Sequence, residues 1–256
     1  MLFKFIICFI AGIGAGLGTG FAGMSAAAVI SPMLITFLGV PAYEAVGIAL
    51  ASDVLASAVS AYTYGKNKNL AIKNGLVMMA AVLCFTLVGS WISSLVPSTA
   101  MGGFSVFMTL LLGIKFIVKP VMTTKESMTG TSPGKRFVQS VVCGMAIGFI
   151  CGFVGAGGGM MMLLILTSVL GYELKTAVGT SVFVMAFTAF TGAVSHFAIG
   201  GPPDVWSLVF CILSTLLWAR IAAKFANRAS PIVLNRATGV VLSILGVSII
   251  LVNFLK

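Results

Sequence analysis

The sequence predicts an all-α polytopic membrane protein built from two inverted repeats, and three observations point to this fold class. Hydrophobic residues make up 59% of the chain and charged residues only 8%, whereas a soluble domain needs a mostly polar outer surface. The apolar segments run from end to end, so no large soluble domain remains. Glycine-rich breaks interrupt two of these segments, and the two halves of the chain match each other without a gap.

The two halves are related by a constant offset of 132 residues, as from Gly20 to Gly152. The second break reads G-F-V-G-A-G-G-G over residues 152–159, and a degraded earlier copy reads G-F-A-G-M-S-A-A over residues 20–27. The tripeptide A-V-G also recurs, at residues 45–47 and 177–179. Matches at one fixed offset indicate a duplicated half.

Each break separates two apolar arms that are short for a membrane helix. In the first half the arms are residues 2–17 and 29–38, and an arm of roughly 14 residues reaches only ~21 Å against a hydrocarbon core of ~30 Å. The pattern therefore predicts a hairpin whose tip stops inside the membrane. Three full spans are predicted to follow, at residues 44–64, 75–95 and 101–118.

The second half repeats this scheme. Residues 137–151 and 160–170 flank its break, and spans are predicted at residues 175–197, 205–224 and 237–254. A polar segment with several Ser, Thr and Pro residues joins the halves. The predicted organisation is one membrane domain with a first repeat at 1–118, a cytoplasmic connecting loop at 119–136 and a second repeat at 137–256.

Charged residues set the predicted orientation. With three spans per half, the second half is inserted upside down, and nearly all Lys and Arg residues then fall on one side. The positive-inside rule makes that side cytoplasmic, so we predict a multi-pass inner-membrane protein with both termini outside the cytoplasm. The opposite side receives only Lys4, Glu44, Asp204 and Lys256. Five short crossings per half would place the charged loops identically, and this alternative stays open.

The net charge of +10 and the five cysteines have simple explanations in a membrane protein. Cations in short loops act as topology signals and contact lipid headgroups, so we expect membrane lipids and no nucleic acid as partners. The cysteines lie inside apolar segments and include no C-x-x-C pair, which favours packing over disulfide, redox or metal chemistry. We expect no metal and no cofactor. The sequence leaves open whether the chain forms a homo-oligomer.

The residues around both breaks resemble a known family. G-F-V-G-A-G-G-G-M followed by G-Y-E-L-K-T-A-V-G-T-S, with weaker copies G-F-A-G-M-S and G-V-P-A-Y-E-A-V-G, is similar to the TauE/SafE sulfite exporters, also called toluenesulfonate uptake permeases. The resemblance covers nearly the whole chain and implies transport of a small organosulfur anion such as sulfite, sulfoacetate or another sulfonate. Family members differ in substrate and direction. The family pattern carries over most firmly to Gly155, Gly157, Gly158, Gly159, Gly179, Thr180 and Ser181.

The hairpin tips are the predicted anion site. A helix that begins at a tip leaves its first backbone N–H groups unpaired and carries a partial positive charge, and glycine lets an anion approach that backbone. The alternative is that the glycines only permit close helix packing. We prefer this alternative for the arm glycines spaced four apart, which are Gly12, Gly16, Gly144 and Gly148. The predicted tip residues are Gly23, Met24, Ser25, Gly155, Gly157, Gly158 and Gly159.

Three hydroxyl residues and one carboxylate complete the predicted site. Thr180 and Ser181 follow A-V-G, and Ser52 lies near the corresponding place in the first half. Their hydroxyls donate either to the anion or to their own helix backbone. Asp53 lies inside a span, where an ionised carboxylate is costly. We hypothesise that Asp53 carries a proton coupled to anion movement, and the alternative is a neutral carboxyl group bonded to a neighbouring helix.

An intramembrane enzyme is the rival interpretation. It would use Ser25 as nucleophile and His196, the only histidine, as base, and it needs the two side chains together. The duplication argues against it, because Ser25 matches Gly157, and we expect His196 to have an interfacial packing or capping role. The sequence thus predicts a secondary carrier, not an enzyme. With the family resemblance, we expect this carrier to export a small organosulfur anion by alternating access, with proton or membrane-potential coupling; the alternative is an importer of another small inorganic or organic anion.

Overall fold

The computed structural model describes residues 1–96, 114, 117–118, 133–154, 158–230, 232–234, 236–237, 239–240, 243–244 and 247. The regular secondary structure of these residues is all helical. Five helical segments in these residues are long and apolar enough to cross a membrane. The all-α, multi-pass part of the predicted fold is therefore confirmed. The helices are α1 Leu2–Ala22, α2 Ala27–Leu38, α3 Ala42–Lys66, α4 Ile72–Ser93, α5 Pro133–Val154, α6 Gly158–Ser168, α7 Leu174–Gly200 and α8 Val205–Arg228.

The first arm is longer than predicted. The structure shows α1 continuing to Ala22 as a helix of 21 residues, about 31 Å long, so the predicted short first arm was wrong. The helix passes through its glycines because they face a neighbour: a Cβ added at Gly12, Gly16 or Gly20 would collide with α8. Helix packing thus stabilises a segment that glycine alone would weaken. The second arm, α2, is short as predicted, with 12 residues.

The second half differs from the prediction at its start. Helix α5 begins at Pro133, inside the predicted connecting loop, because proline suits the first position of a helix and polar residues extend the helix beyond its apolar part. Most of that loop lies outside the described residues, as do most of the spans predicted at 101–118 and 237–254.

Close pairs of helices join the two halves of the chain. Helix α1 packs along α8, α5 packs along α4, and α3 and α7 pack on each other between them. The second pair also depends on glycine, because a Cβ at Gly144, Gly148 or Gly152 would meet the backbone of α4. The packing role that we preferred for the arm glycines is confirmed.

The charges separate toward two ends of the helix bundle. At one end Lys4 Nζ lies 2.9 Å from Asp204 Oδ2, and the Asp204 backbone N–H donates to Glu44 Oε1 at 2.8 Å. At the other end Lys175 Nζ donates to the carbonyl oxygen of Asn227 at 2.9 Å. The grouping of charges therefore follows the predicted grouping of the loops.

Candidate functional site

The first glycine break is a short irregular segment at residues 23–26, between α1 and α2. Gly23 ends α1 with φ +62°, a left-handed conformation that favours glycine. Its N–H donates to the Thr19 carbonyl oxygen at 3.0 Å. Met24 and Ser25 follow, and their side chains are buried. The segment is the turn that the sequence predicts, although it begins later because α1 continues to Ala22.

The second break leads into α6, whose first residues are Gly158 and Gly159. The predicted tip residues Gly155 and Gly157 lie outside the described residues. Gly159 touches the first tip: an added Cβ would lie 2.6 Å from both the Gly23 carbonyl oxygen and the Ser25 nitrogen. Only glycine fits at this contact, because both neighbours are backbone atoms. The structure thus brings the two predicted tips together.

Ser181 bridges the two tips. Its hydroxyl donates to the carbonyl oxygen of Gly23 at 2.9 Å and lies 3.2 Å from the carbonyl oxygen of Gly159. The side chain is completely buried. A hydroxyl has a single hydrogen, so the two carbonyl oxygens share one donor. Of Ser52, Thr180 and Ser181, the hydroxyl residues predicted outside the tips, Ser181 is the one that the structure places against them.

Asp53 lies halfway along α3, beside the first tip. Its carboxyl group is fully buried, and Oδ1 accepts a hydrogen bond of 2.8 Å from the Ser57 hydroxyl. Ser25, the backbone N–H of Ala26 and Thr19 lie around the same carboxyl group. Asp53 Oδ2 and Thr19 Oγ1 are both buried without a hydrogen-bond partner among the described residues. The Asp53 carboxyl group thus lies among groups that can donate hydrogen bonds, at the start of α2.

Sequence reasoning identified Asp53 but missed Thr19 and Ser57. Ser57 lies four residues after Asp53, a spacing that places the two side chains on one face of a helix. That spacing was the available signal. Thr19 had no comparable signal, because its position depends on the continuation of α1 past the predicted end.

The remaining predicted residues lie away from the tips. The hydroxyl of Thr180 donates to the Thr176 carbonyl oxygen at 2.7 Å and accepts from the Ala71 N–H at 3.1 Å. Ser52 donates to the Ile48 carbonyl oxygen at 2.9 Å. Gly179 packs against the backbone of the α3–α4 turn. In this structure these residues bond helix backbone or permit close packing, as the alternative interpretation has it.

The His196 side chain contacts backbone carbonyl oxygens of two other helices. Its side chain is buried, with Nδ1 3.2 Å from the Tyr43 carbonyl oxygen and Nε2 3.1 Å from the Gly152 carbonyl oxygen. The contact with Gly152, near the end of α5, agrees with the expected packing and capping role, and the expected interfacial location stays a prediction. Both ring nitrogens face carbonyl oxygens, so His196 does not form the Ser25–His196 pair that the enzyme interpretation needs.

The chain is similar over most of its length to three proteins named as membrane transporters. The probable membrane transporter protein YdhB of Bacillus subtilis is 24% identical over 222 residues, covering 87% of this chain and 90% of that protein. YunE of the same organism is 27% identical over 217 residues, covering 77% and 80%. MJ0441 of Methanocaldococcus jannaschii is 23% identical over 264 residues, covering 96% and 94%. No solved structure matches the chain.

The family model described as sulfite exporter TauE/SafE matches residues 8–249. This range includes both glycine tips, Asp53 and Ser181. The relatives' names and the spanning helices agree that the protein is a multi-pass membrane transporter. The chain belongs to the sulfite exporter TauE/SafE family.

Proposed function

We propose that the protein is a secondary transporter that exports a small organosulfur anion, such as sulfite, sulfoacetate or another sulfonate, from a site between the two glycine tips. The observation that carries this proposal is the buried contact of Gly159 with Gly23 and Ser25, bridged by Ser181. Irregular backbone at membrane depth is tolerated only where it packs against protein or lines a cavity. Two such breaks from separate halves meet at the substrate site in many secondary transporters.

The proposal includes two inverted repeats, and the helix pairs support them. Exchanging the halves converts the α1–α8 pair into the α5–α4 pair. Hydrogen bonds repeat in the same way: the Tyr64 hydroxyl donates to the Gly20 carbonyl oxygen at 2.9 Å, and His196 lies against the carbonyl oxygen of Gly152. Both partners of one bond match both partners of the other at the offset of 132 residues (64 to 196, 20 to 152).

The packed tips represent a closed form of the site in this proposal. The anion binds after the tips separate, because the Gly159 contact leaves no room for even a methyl group. Separation frees the Ser181 hydroxyl to donate to an anion oxygen, and it exposes the first N–H groups of α6, whose partial positive charge favours an anion. Rocking of the two halves then opens the site to one side of the membrane at a time.

Asp53 supplies the proposed coupling to protons. Its carboxyl group lies at the start of α2, near the Ala26 N–H, where an anion is stabilised by the helix dipole. The matching position in the second half is Met185, which has no carboxylate. In this proposal the substrate anion therefore binds at the start of α6. Two negative charges in a buried site repel each other. Substrate and proton therefore favour each other's binding.

The membrane potential and the proton gradient are the two candidate driving forces, and they would move the anion in opposite directions. A membrane potential that is negative inside expels an anion, with about 2.3 kcal/mol per charge at 100 mV, and this is the proposed export. The second candidate is proton-coupled import, which the location of Asp53 favours, because a proton and an anion that bind together travel in the same direction down an inward proton gradient.

Flux into proteoliposomes tests the proposal. We expect radiolabelled sulfite or sulfoacetate to move with the protein present, driven by an imposed potential if the protein exports and by an imposed pH gradient if it imports. Ser181→Ala is expected to slow the flux at least tenfold. Ser52→Ala is the matched control, because Ser52 is equally buried but bonds only its own helix. Equal flux in the two variants would place the site elsewhere, and no flux of any sulfur anion would refute the substrate class.

A further inference from the structure

A second site lies at the end of the bundle where α3 and α8 terminate. It is a cavity of about 630 Å³ between these helices. Four of the residues that line it are cationic: Lys66 on α3 and Arg220, Lys224 and Arg228 on α8. None of the described lining residues is acidic. The cavity thus concentrates positive charge without a protein carboxylate to balance it.

The spacing of the cations on α8 makes them repel one another when no anion occupies the cavity. Arg220, Lys224 and Arg228 are spaced four residues apart, so they lie along one face of the helix, where like charges repel. The amide of Asn227, also in the lining, already donates to the Ala223 carbonyl oxygen at 2.8 Å and accepts from Asn69 at 2.9 Å. The lining also contains Tyr62, Thr63 and Asn67, and its four cationic donors suit an anion with several oxygens.

An apolar groove borders the basic cavity. The groove has a volume of about 660 Å³ between α3 and α7, and its lining includes Ala58, Ala61, Phe183 and Phe187. Tyr62 and Lys66 line both spaces. A ligand with a charged head and an apolar chain would therefore occupy both at once, with its head among the cations and its chain along the phenylalanines.

We propose that this paired cavity binds one anionic phospholipid, with its phosphate held by Lys66, Arg220, Lys224 and Arg228 and an acyl chain in the groove beside Phe183 and Phe187. Basic pockets between membrane helices bind anionic headgroups in this way, and the adjoining apolar groove has room for an acyl chain, which a small soluble anion would leave unfilled. The site does not depend on the proposed transport function, since neither Asp53 nor Ser181 lines it.

Native mass spectrometry of the protein in detergent tests the headgroup half of the site. Phosphatidylglycerol is the anionic probe and phosphatidylcholine the zwitterionic one. We expect a retained phosphatidylglycerol adduct that Arg220→Gln/Lys224→Gln weakens roughly 10- to 30-fold. The control is Lys68→Gln/Arg236→Gln, which removes the same charge from two exposed residues outside the cavity. Equal retention of the two lipids, or equal loss in the two variants, would overturn the proposal.

A second pair of variants tests the groove. Ala58→Trp fills the groove, whereas Ala80→Trp places the same side chain on an exposed position of α4. We expect Ala58→Trp alone to weaken phosphatidylglycerol binding several-fold. Glycerol 3-phosphate, which has the headgroup chemistry without acyl chains, separates the two sources of phosphate. If it stabilises the protein against heat as strongly as the lipid does, the occupant is a soluble anion and the lipid proposal is wrong.

Discussion

Replacement of Gly159 by alanine tests the contact on which the proposed site rests. The added Cβ would lie 2.6 Å from the Gly23 carbonyl oxygen and from the Ser25 nitrogen, whereas ordinary contacts of this kind begin near 3.4 Å. Both neighbours are backbone atoms, so the tips must move apart by most of an ångström. Overpacking of this kind costs about 1–3 kcal/mol.

The same movement stretches the Ser181 bridge, because its hydroxyl spans Gly23 and Gly159. A lost hydrogen bond adds about 1 kcal/mol. We therefore expect Gly159→Ala to destabilise the closed tips by about 2–4 kcal/mol. In a chain of this size about 1 kcal/mol lowers Tm by roughly 2–4 °C, so the expected loss is of order 5–15 °C in thermal unfolding of the detergent-solubilised protein.

Gly134→Ala is the matched control, because it adds the same methyl group to a helix at a position with nothing within 4 Å. A cysteine in place of the buried Met24 provides a second readout: its rate of maleimide labelling is expected to rise in the Gly159→Ala background as the tips open. If Gly159→Ala and Gly134→Ala unfold at the same temperature and label at the same rate, the two tips are not in contact and the proposed site loses its basis.

Three further predictions concern the charges. Asp53→Asn is expected to retain transport driven by a membrane potential but to lose its dependence on the pH gradient, as measured in proteoliposomes; an unchanged pH dependence would exclude Asp53 as the proton carrier. Burial raises the pKa of the Asp204 carboxyl group, but hydrogen bonds from Ser207 and Lys4 outweigh it and lower the pKa from 3.8 to about 2. Because the folded-state pKa is lowered, the ionised group stabilises the fold above about pH 4, and this contribution is lost as the pH falls toward 2. Asp204→Asn should therefore flatten that part of the Tm–pH curve. A variant curve that matches the wild-type curve would contradict the assignment. For the proposed orientation, a membrane-impermeant thiol reagent added to intact cells should label Lys4→Cys and not Lys68→Cys, and the reverse pattern would invert the topology.

The sequence was informative where one property of a segment decides its structure. The long continuous apolar segments predicted membrane helices, since a helix satisfies each backbone polar group within its own segment. The paired breaks predicted two tips, and the location of Asp53 inside an apolar segment marked it as a functional candidate. Charge counts grouped Lys4, Glu44 and Asp204 at one end. In the structure Lys4 donates to the Asp204 carboxylate, and the Asp204 backbone N–H donates to the Glu44 carboxylate.

The sequence was uninformative where a distant neighbour decides. Its glycines suggested that α1 ends early, but α8 supports them and the helix continues to Ala22. Thr180 and Ser181 are adjacent and were predicted together, yet a helix turns by about 100° per residue, so Ser181 faces the tips while Thr180 faces the start of α4. No local pattern distinguishes these two hydroxyls.

The all-helical membrane character, the glycine tips and the location of Asp53 inside a span were therefore predicted from the sequence itself, because hydrophobicity, backbone freedom and charge are properties of single segments. Only the tertiary structure decided that Gly159 packs on Gly23, that Ser181 bridges them, and that cations from α3 and α8 share one cavity. Each of these features joins residues far apart in the chain. Such contacts form only when whole helices pack together, because the packing decides which side chains face each other.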